Sequence, residues 1–326
     1  VTWKVLGASN RPDAQALVDR RLAVSDFARE RGGEVIALAV PVSATAYMNL
    51  RSGFLFDAFP GVWPGLFQLS VEERMEKFRN PEVRRQMADD VASMSPEAPL
   101  KMLARLDNFK VSSVSSEGNR KYVGRRTGDI AQEEGKQPID VLLDLALADN
   151  LDTVFTPDNN SDNPATFAIR GKVFKDDRTL IGASDAGAHL DLIDTFAFST
   201  GLLQQAVREF GVISLEEAVH QITGRQATYF GLVDRGLLAP GFHADVVVFD
   251  KDTVGRGPTQ QRYDLPGGND FRLYADAVGI DHVLVNGVEI VRHGEHTGKL
   301  PGTVLRSGKD TKTVALDALR KTAEPA

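Results

Sequence analysis

Two short apolar, β-rich runs with a helix-length amphipathic segment between them constrain this chain more than any other feature. Residues 1–6 (VTWKVL) and 34–40 (EVIALAV) read as strands, the second stopped by Pro41. Between them Asn10 and Pro12 signal a helix start, Leu17, Val18, Leu22, Val24 and Phe27 supply an apolar face, and Gly32-Gly33 ends it. Strand, helix, strand is a βαβ unit, which implies a parallel sheet, because a crossover helix returns the chain in its original direction. The chain opens inside the first strand, without a methionine, which points to truncation or processing.

Further on, residues 44–69 carry Tyr47, Phe54, Phe56, Phe59, Trp63 and Phe67 among Gly and Pro with no sustained period. This reads as a long loop after a parallel strand, and two readings stay open: a substrate-binding lid, or packing of an irregular segment. Asn80-Pro81 opens a helix with Val83, Met87, Val91 and Met94 on one face. Residues 109–114 and 151–155 are strand candidates, and residues 127–148 hold two helical segments joined at 135–138.

The run 179–185 (TLIGASD) is apolar until its last two residues, the pattern of a barrel strand that delivers an acid to the active-site face. Ser214-Leu215-Glu216-Glu217 is a capping box that opens a later helix. After Gly241 the texture changes: residues 244–249 are β-rich, and 282–291 read as a hairpin with Asn286-Gly287 at its turn.

Composition bounds the partners. The chain has 326 residues, 42% hydrophobic and 25% charged, enough for a globular core in one or two domains. A net charge of -7 leaves no basic footprint for nucleic acid or anionic lipid, so the expected partner is a small molecule. Without cysteine, neither a disulfide framework nor a thiolate zinc site can form. No apolar run reaches the roughly 20 residues of a membrane span, and the start lacks a signal-peptide pattern, so a cytoplasmic location is expected.

Residues 180–189 (LIGASDAGAH) and 223–232 (TGRQATYFGL) resemble the last barrel segment of N-acyl-D-amino-acid deacylases, the D-aminoacylase family of the amidohydrolase superfamily. The junction 234–250 (DRGLLAPGFHADVVVFD), Val285-Asn286-Gly287 and 297–302 (TGKLPG) are similar to that family's ending. The resemblance implies an α/β fold: a partial (β/α)8 TIM-type barrel, its C-terminal half over residues 1–232, with a small antiparallel β-sandwich-type module over 233–308. A C-terminal tail spans 309–326.

It also implies zinc-dependent hydrolysis of the amide bond of N-acylated D-amino acids. Asp185 matches the carboxylate that contacts the metal weakly and acts as general acid/base. Such a group beside a zinc-bound water, whose pKa the metal lowers to about 7, can take the proton and return it to the leaving amine. Ser184 and His189 match substrate-binding positions, and His189 is expected to face the substrate or hold Asp185.

The chain departs from the family's metal site, which uses an N-terminal His-x-His pair, a Cys or modified Lys, and two further His. No His precedes His189 and there is no Cys. Were 1–6 the fifth barrel strand, Trp3 or Lys4 would stand at the ligand position; were 34–40 the sixth, Ala39 and Val40 would. A catalytic zinc takes about three protein ligands. The expectation is therefore a fragment that needs its N-terminal half, with self-association through unpaired strand edges. The alternative is a non-catalytic remnant or interaction module. His293, His296 and His220 read as surface or structural residues, Gly267-Gly268 as a turn, and 121–126 as a solvated loop.

Overall fold

The computed structural model describes residues 1–8, 12–95, 98, 101–158, 162–185, 187, 189–267 and 271–315. Strand β1 (Thr2–Leu6), helix α1 (Ala14–Arg29) and strand β2 (Ile36–Ala39) form the expected βαβ unit, with Thr2 opposite Ile36 and Trp3 opposite Ala37 in a parallel register. Helix α1 buries Ala14, Val18, Leu22 and Ser25. Val24 and Phe27, expected on that face, are 52% and 58% exposed. At 100° per residue they fall off the 14-18-22-25 stripe, and the Phe27 ring instead lies under the Arg31 guanidinium, 3.6 Å from its centroid. Asn10 lies outside the described residues.

Residues Thr45–Asn159 form a compact unit of their own. Its opening segment, expected to be a loop, contains the short helix α2 (Trp63–Leu66) and folds around its aromatic side chains. Phe56, Phe59 and Trp63 are fully buried. Phe56 stacks on Trp63 at 5.8 Å, Phe59 meets Trp63 edge-on at 5.1 Å, and Phe56 also touches the Phe109 ring. For these three rings packing is the role the structure assigns.

Two helices follow, α3 (Val71–Arg79) and α4 (Pro81–Ala92). Helix α4 starts at Asn80 and buries Met87 and Val91, as read from the sequence. Helix α3 was missed, although Ser70 and Glu73 close a full capping box at its start. Its Arg74, 5% exposed, sends its guanidinium into the preceding segment, donating to the carbonyls of Leu50 (2.8 Å), Arg51 (2.7 Å), Leu66 (3.1 Å) and Leu69 (3.1 Å). One side chain thus satisfies carbonyls of an irregular segment, of which that of Leu66 also takes the Leu69 amide at 3.3 Å.

Strand β3 (Phe109–Ser113), helices α5 (Thr127–Glu134) and α6 (Pro138–Ala148), and strand β4 (Val154–Pro157) complete this unit. The sequence marks both as strands within residues 1–232, where the barrel resemblance implies a parallel sheet. Instead they pair with each other, antiparallel, with Phe109 opposite Pro157.

Residues Val1–Ala44 and Asn160–Ala326 form the other unit. Helix α7 (Pro164–Lys175), capped by Asn163, leads into strand β5 (Thr179–Ile181), which is buried throughout. Strand β5 pairs parallel with β2, Ala39 opposite Ile181, giving the order β1-β2-β5. Leu6, Val18, Leu22, Ala37, Ala39 and Val173 pack between this sheet and its helices. Helix α8 (Phe198–Gly201) runs on as a π-helical stretch over Leu202–Glu209, followed by α9 (Leu215–Ile222) and α10 (Gly224–Phe230). At the start of α9 the Glu217 amide donates to the Ser214 hydroxyl at 3.1 Å, while the Glu217 carboxylate takes the Gln221 amide at 2.6 Å.

The remaining strands are antiparallel, as the texture after Gly241 predicts. They are β6 (Val246–Phe249), β7 (Gly255–Arg256), β8 (Gln260–Arg262), β9 (Arg272–Tyr274), β10 (Ala277–Val278), β11 (Ile280–Val285), β12 (Val288–Arg292) and β13 (Glu295–His296). Four of them form the sheet β13-β12-β11-β6. Asn286 and Gly287 take φ of 49° and 77° at the β11–β12 turn, the left-handed pair of a tight hairpin. Val254 joins the buried cluster around Phe167, Ile181 and Leu202, with Phe249 and Ile280 packed against it. No helix among the described residues is long and apolar enough to cross a membrane. The fold is mixed α/β.

Candidate functional site

The sequence places Asp185 at the end of a strand, but β5 stops four residues earlier, at Ile181. The Gly182 amide still donates to the Ala39 carbonyl at 2.8 Å. Ala183 then takes φ 59° and Asp185 φ 53°, with Ser184 between them. A left-handed conformation costs a non-glycine residue about 1 kcal/mol or more, and such strain gathers at functional sites. Asp tolerates it better than Ala. Ser184, Asp185 and His189 are all half-buried, whereas Gly187 is exposed. Ala186 and Ala188 of the motif lie outside the described residues.

The loop that carries these side chains is tied down at both ends. The Thr195 hydroxyl donates to the Ser184 carbonyl, and the His189 carbonyl accepts from the amides of Leu192 (3.2 Å) and Ile193 (3.3 Å). Asp194, 1% exposed, pairs with Arg256 of β7 at 2.6 Å. Gln226 of α10 donates to the Ile181 carbonyl at 2.7 Å, at the point where the strand ends. Two of the motif segments thus meet at the end of β5.

The other motif segments form a separate network. Arg235 pairs with Asp245 and donates to the Asn286 side-chain oxygen at 2.9 Å. The Asn286 amide donates to Asp245 at 2.9 Å, and its side chain donates to the Pro301 carbonyl at 2.8 Å. Burial works against the Asp245 charge, but bonds from Asn286 and Arg235 outweigh it and hold the carboxyl below its ordinary value. These residues brace the β module.

A second polar cluster lies where the chain leaves for residues 45–159 and returns. The Ser43 hydroxyl donates to Asp162 at 2.5 Å, Gln205 donates to the other oxygen of Asp162 at 3.1 Å, and Arg170 donates to Ser43 at 2.8 Å. Arg170 is 4% exposed and stands over the Phe167 ring, and burial pushes its guanidinium pKa down.

His293 and His296 are exposed around the β12–β13 turn, and His220 is half-buried on α9. In the basic stretch 121–126, Arg125 pairs with Glu133 and Arg126 with Asp158, each at 2.7 Å. Gly268 lies outside the described residues. Sequence reasoning missed Thr195, Asp194, Arg256 and Arg170, whose partners are 11 to 127 residues distant. Gln226 was within reach, since it stands in one of the quoted motifs.

A profile of the amidohydrolase family matches residues 55–291. The chain belongs to the amidohydrolase family. This amidohydrolase chain is 39% identical over 139 residues to an N-acyl-D-glutamate deacylase of Alcaligenes xylosoxydans xylosoxydans, a match that covers 41% of it and 26% of the relative. With an N-acyl-D-aspartate deacylase of the same organism it shares 32% over 215 residues, covering 63% of it and 38% of the relative. The chain therefore spans well under half the length of these curated relatives. A crystal structure of N-acyl-D-glutamate deacylase from Bordetella bronchiseptica, complexed with zinc and a phosphonate inhibitor, is similar at 23% identity and a TM-score of 0.43 over 89% of this chain and 46% of that one. So loose an overlap positions no residue here. The family resemblance read from the motifs is borne out.

Zinc is what the sequence resemblance implies, and a catalytic zinc takes about three protein ligands. Among the described residues of the amidohydrolase chain, no group of three or more His, Cys, Asp or Glu is placed to hold a metal ion. The sequence supplies no Cys and only six His, all from His189 onward. The donor set does not fit a zinc held by this chain by itself.

Proposed function

We propose that the chain forms part of the catalytic site of a hydrolase that cleaves the amide bond of N-acylated D-amino acids, with Asp185 as general acid/base. The observation that carries this reading is the left-handed turn at Ala183 and Asp185, beyond a buried parallel strand, in a chain whose relatives are D-amino-acid deacylases. The order β1-β2-β5 with α1 and α7 as crossovers supports part of a (β/α)8 barrel over residues 1–232, joined to a β module over 233–308.

In the proposed reaction Asp185 takes a proton from the attacking water as the new C–O bond forms. It returns that proton to the amide nitrogen as the C–N bond breaks, releasing a carboxylic acid and a D-amino acid. Ser184 and His189, flanking Asp185 in the loop, bind substrate. A zinc ion held chiefly by ligands from elsewhere would take Asp185 from this chain and would supply an activated water.

The test is Asp185→Asn in the intact protein, assayed with N-acetyl-D-glutamate, N-acetyl-D-aspartate and neutral N-acetyl-D-amino acids. The variant keeps the shape and loses the transferable proton, so turnover should fall by about two orders of magnitude or more. Near-normal turnover would remove Asp185 from the mechanism. Wild-type protein inert on every N-acyl-D-amino acid would favour the non-catalytic reading.

A further inference from the structure

We infer that Thr195 and the Asp194–Arg256 ion pair form a clamp that fixes the loop bearing Ser184, Asp185 and His189, so that Arg256, from the antiparallel β region, is a positioning residue for Asp185. The inference rests on the proposed role of Asp185. Adjacent residues of the loop's closing end do two different jobs. Thr195, 2% exposed, donates its hydroxyl to the Ser184 carbonyl, one residue before Asp185. Asp194 reaches the Arg256 guanidinium at 2.6 Å.

Arg256 is itself fixed from two directions. Its backbone amide donates to the Gln204 side-chain oxygen at 3.0 Å, and a Cβ on the preceding Gly255 would come within 2.7 Å of that same oxygen. The Thr259 hydroxyl lies 3.4 Å from the Asp194 carboxylate, on the same oxygen that Arg256 binds. A further tether comes from β9, where the Leu273 amide donates to the Leu190 carbonyl at 2.7 Å.

The residues from 255 to 273 therefore hold the loop at Leu190 and Asp194, while Thr195 carries the restraint across to Ser184. A left-handed Ala183 and Asp185 persist only where surrounding contacts over-determine them. The clamp supplies those contacts. A carboxylate that transfers protons loses rate steeply when displaced, by about 100-fold for an ångström of error.

Three variants of the intact protein test this: Thr195→Val, which replaces the hydroxyl with a methyl of similar size; Thr195→Ser, which restores it; and Arg256→Met. Amide hydrogen exchange of peptides covering 182–190 is compared with peptides from β2 and α7, alongside kcat and KM. Thr195→Val and Arg256→Met should speed exchange in the loop by about tenfold or more while β2 and α7 keep their protection. They should also lower kcat by about tenfold with little change in KM, and Thr195→Ser should recover both.

Unchanged loop exchange in Thr195→Val would overturn the clamp. Faster exchange with full kcat would overturn its positioning role. Exchange does not depend on the reaction, so the clamp remains testable even if Asp185→Asn retains activity and the proposed function falls.

Discussion

The Gly182 amide donates to the Ala39 carbonyl at 2.8 Å, one step past the last register pair of β2 and β5, and there the parallel ladder ends. The next residue, Ala183, turns left-handed at φ 59° and takes the chain out of the sheet. Alanine has no side-chain polar group to compensate that conformation, whereas glycine adopts it freely. Ala183→Gly should therefore raise stability by about 0.5–1 kcal/mol, read as a shift in the urea midpoint at constant m-value. A destabilised variant would show that the turn is not strained.

Arg74 makes the second prediction. Burial lowers the pKa of its guanidinium, which lies over the Phe67 ring and donates to backbone carbonyls, so its stabilising effect lies largely in satisfying those acceptors. Arg74→Met keeps the apolar stem but abandons the carbonyls of Leu50, Arg51, Leu66 and Leu69. An acceptor that loses its donor costs about 1 kcal/mol or more, less for the part-buried carbonyls and for Leu66, which keeps the Leu69 amide at 3.3 Å, so a loss of about 3 kcal/mol is expected. Arg74→Lys should recover only part of it, because an ammonium cannot fan out across the same carbonyls.

What the sequence made legible follows from how local each signal is. The βαβ opening, the helix at Asn80-Pro81 and the Asn286-Gly287 hairpin each depend on contiguous residues, and each was read correctly. The direction of β3 was not legible from its own residues, because its partner β4 lies beyond two helices in the chain. The aromatic segment around Phe56 and Trp63 has no period because Arg74 and ring packing, not a backbone ladder, hold it. At the candidate site, Asp185 stood out through its motif, but Arg256 lies 62 residues from Asp194 and nothing near it in the chain signals the pair.

The third prediction concerns acid stability. Asp149, 3% exposed, accepts from the amides of Ser115 (3.2 Å) and Ser116 (3.0 Å), from Asn119 (3.0 Å) and from the Thr153 hydroxyl (2.7 Å). Burial pushes its pKa up, but the bonds from Ser116, Thr153 and Ser115 outweigh burial and leave it below the ordinary carboxylate value. A depressed folded-state pKa stabilises fully above the unfolded value of about 3.9, and that stability is lost as the pH falls through the folded-state value. Asp149→Asn should thus be less stable than wild type at pH 6, with the gap closing as both are titrated toward pH 2. Urea unfolding at several pH values measures it, and a gap independent of pH would mean that the carboxylate charge contributes nothing.

The last prediction separates the two roles of Asn286. Its backbone sits at φ 49° in the β11–β12 turn, a conformation that asparagine tolerates and alanine resists. Its side chain accepts from Arg235 at 2.9 Å and donates to the Pro301 carbonyl at 2.8 Å. Asn286→Gly keeps the turn and deletes both bonds, which should cost about 1–2 kcal/mol. Asn286→Ala deletes both bonds and adds backbone strain, so it should cost about 1 kcal/mol more than the glycine variant. Asn286→Asp keeps the acceptor for Arg235 but loses the donor to Pro301, and the added charge faces Asp245, which already holds the Asn286 amide at 2.9 Å. In a double-mutant cycle, Arg235→Met should cost less in the glycine and alanine backgrounds than in wild type, and no less in the aspartate background, which keeps the acceptor. If glycine and alanine were equally destabilised, the turn would carry no strain, and the asparagine in this motif would be explained by its side-chain bonds alone.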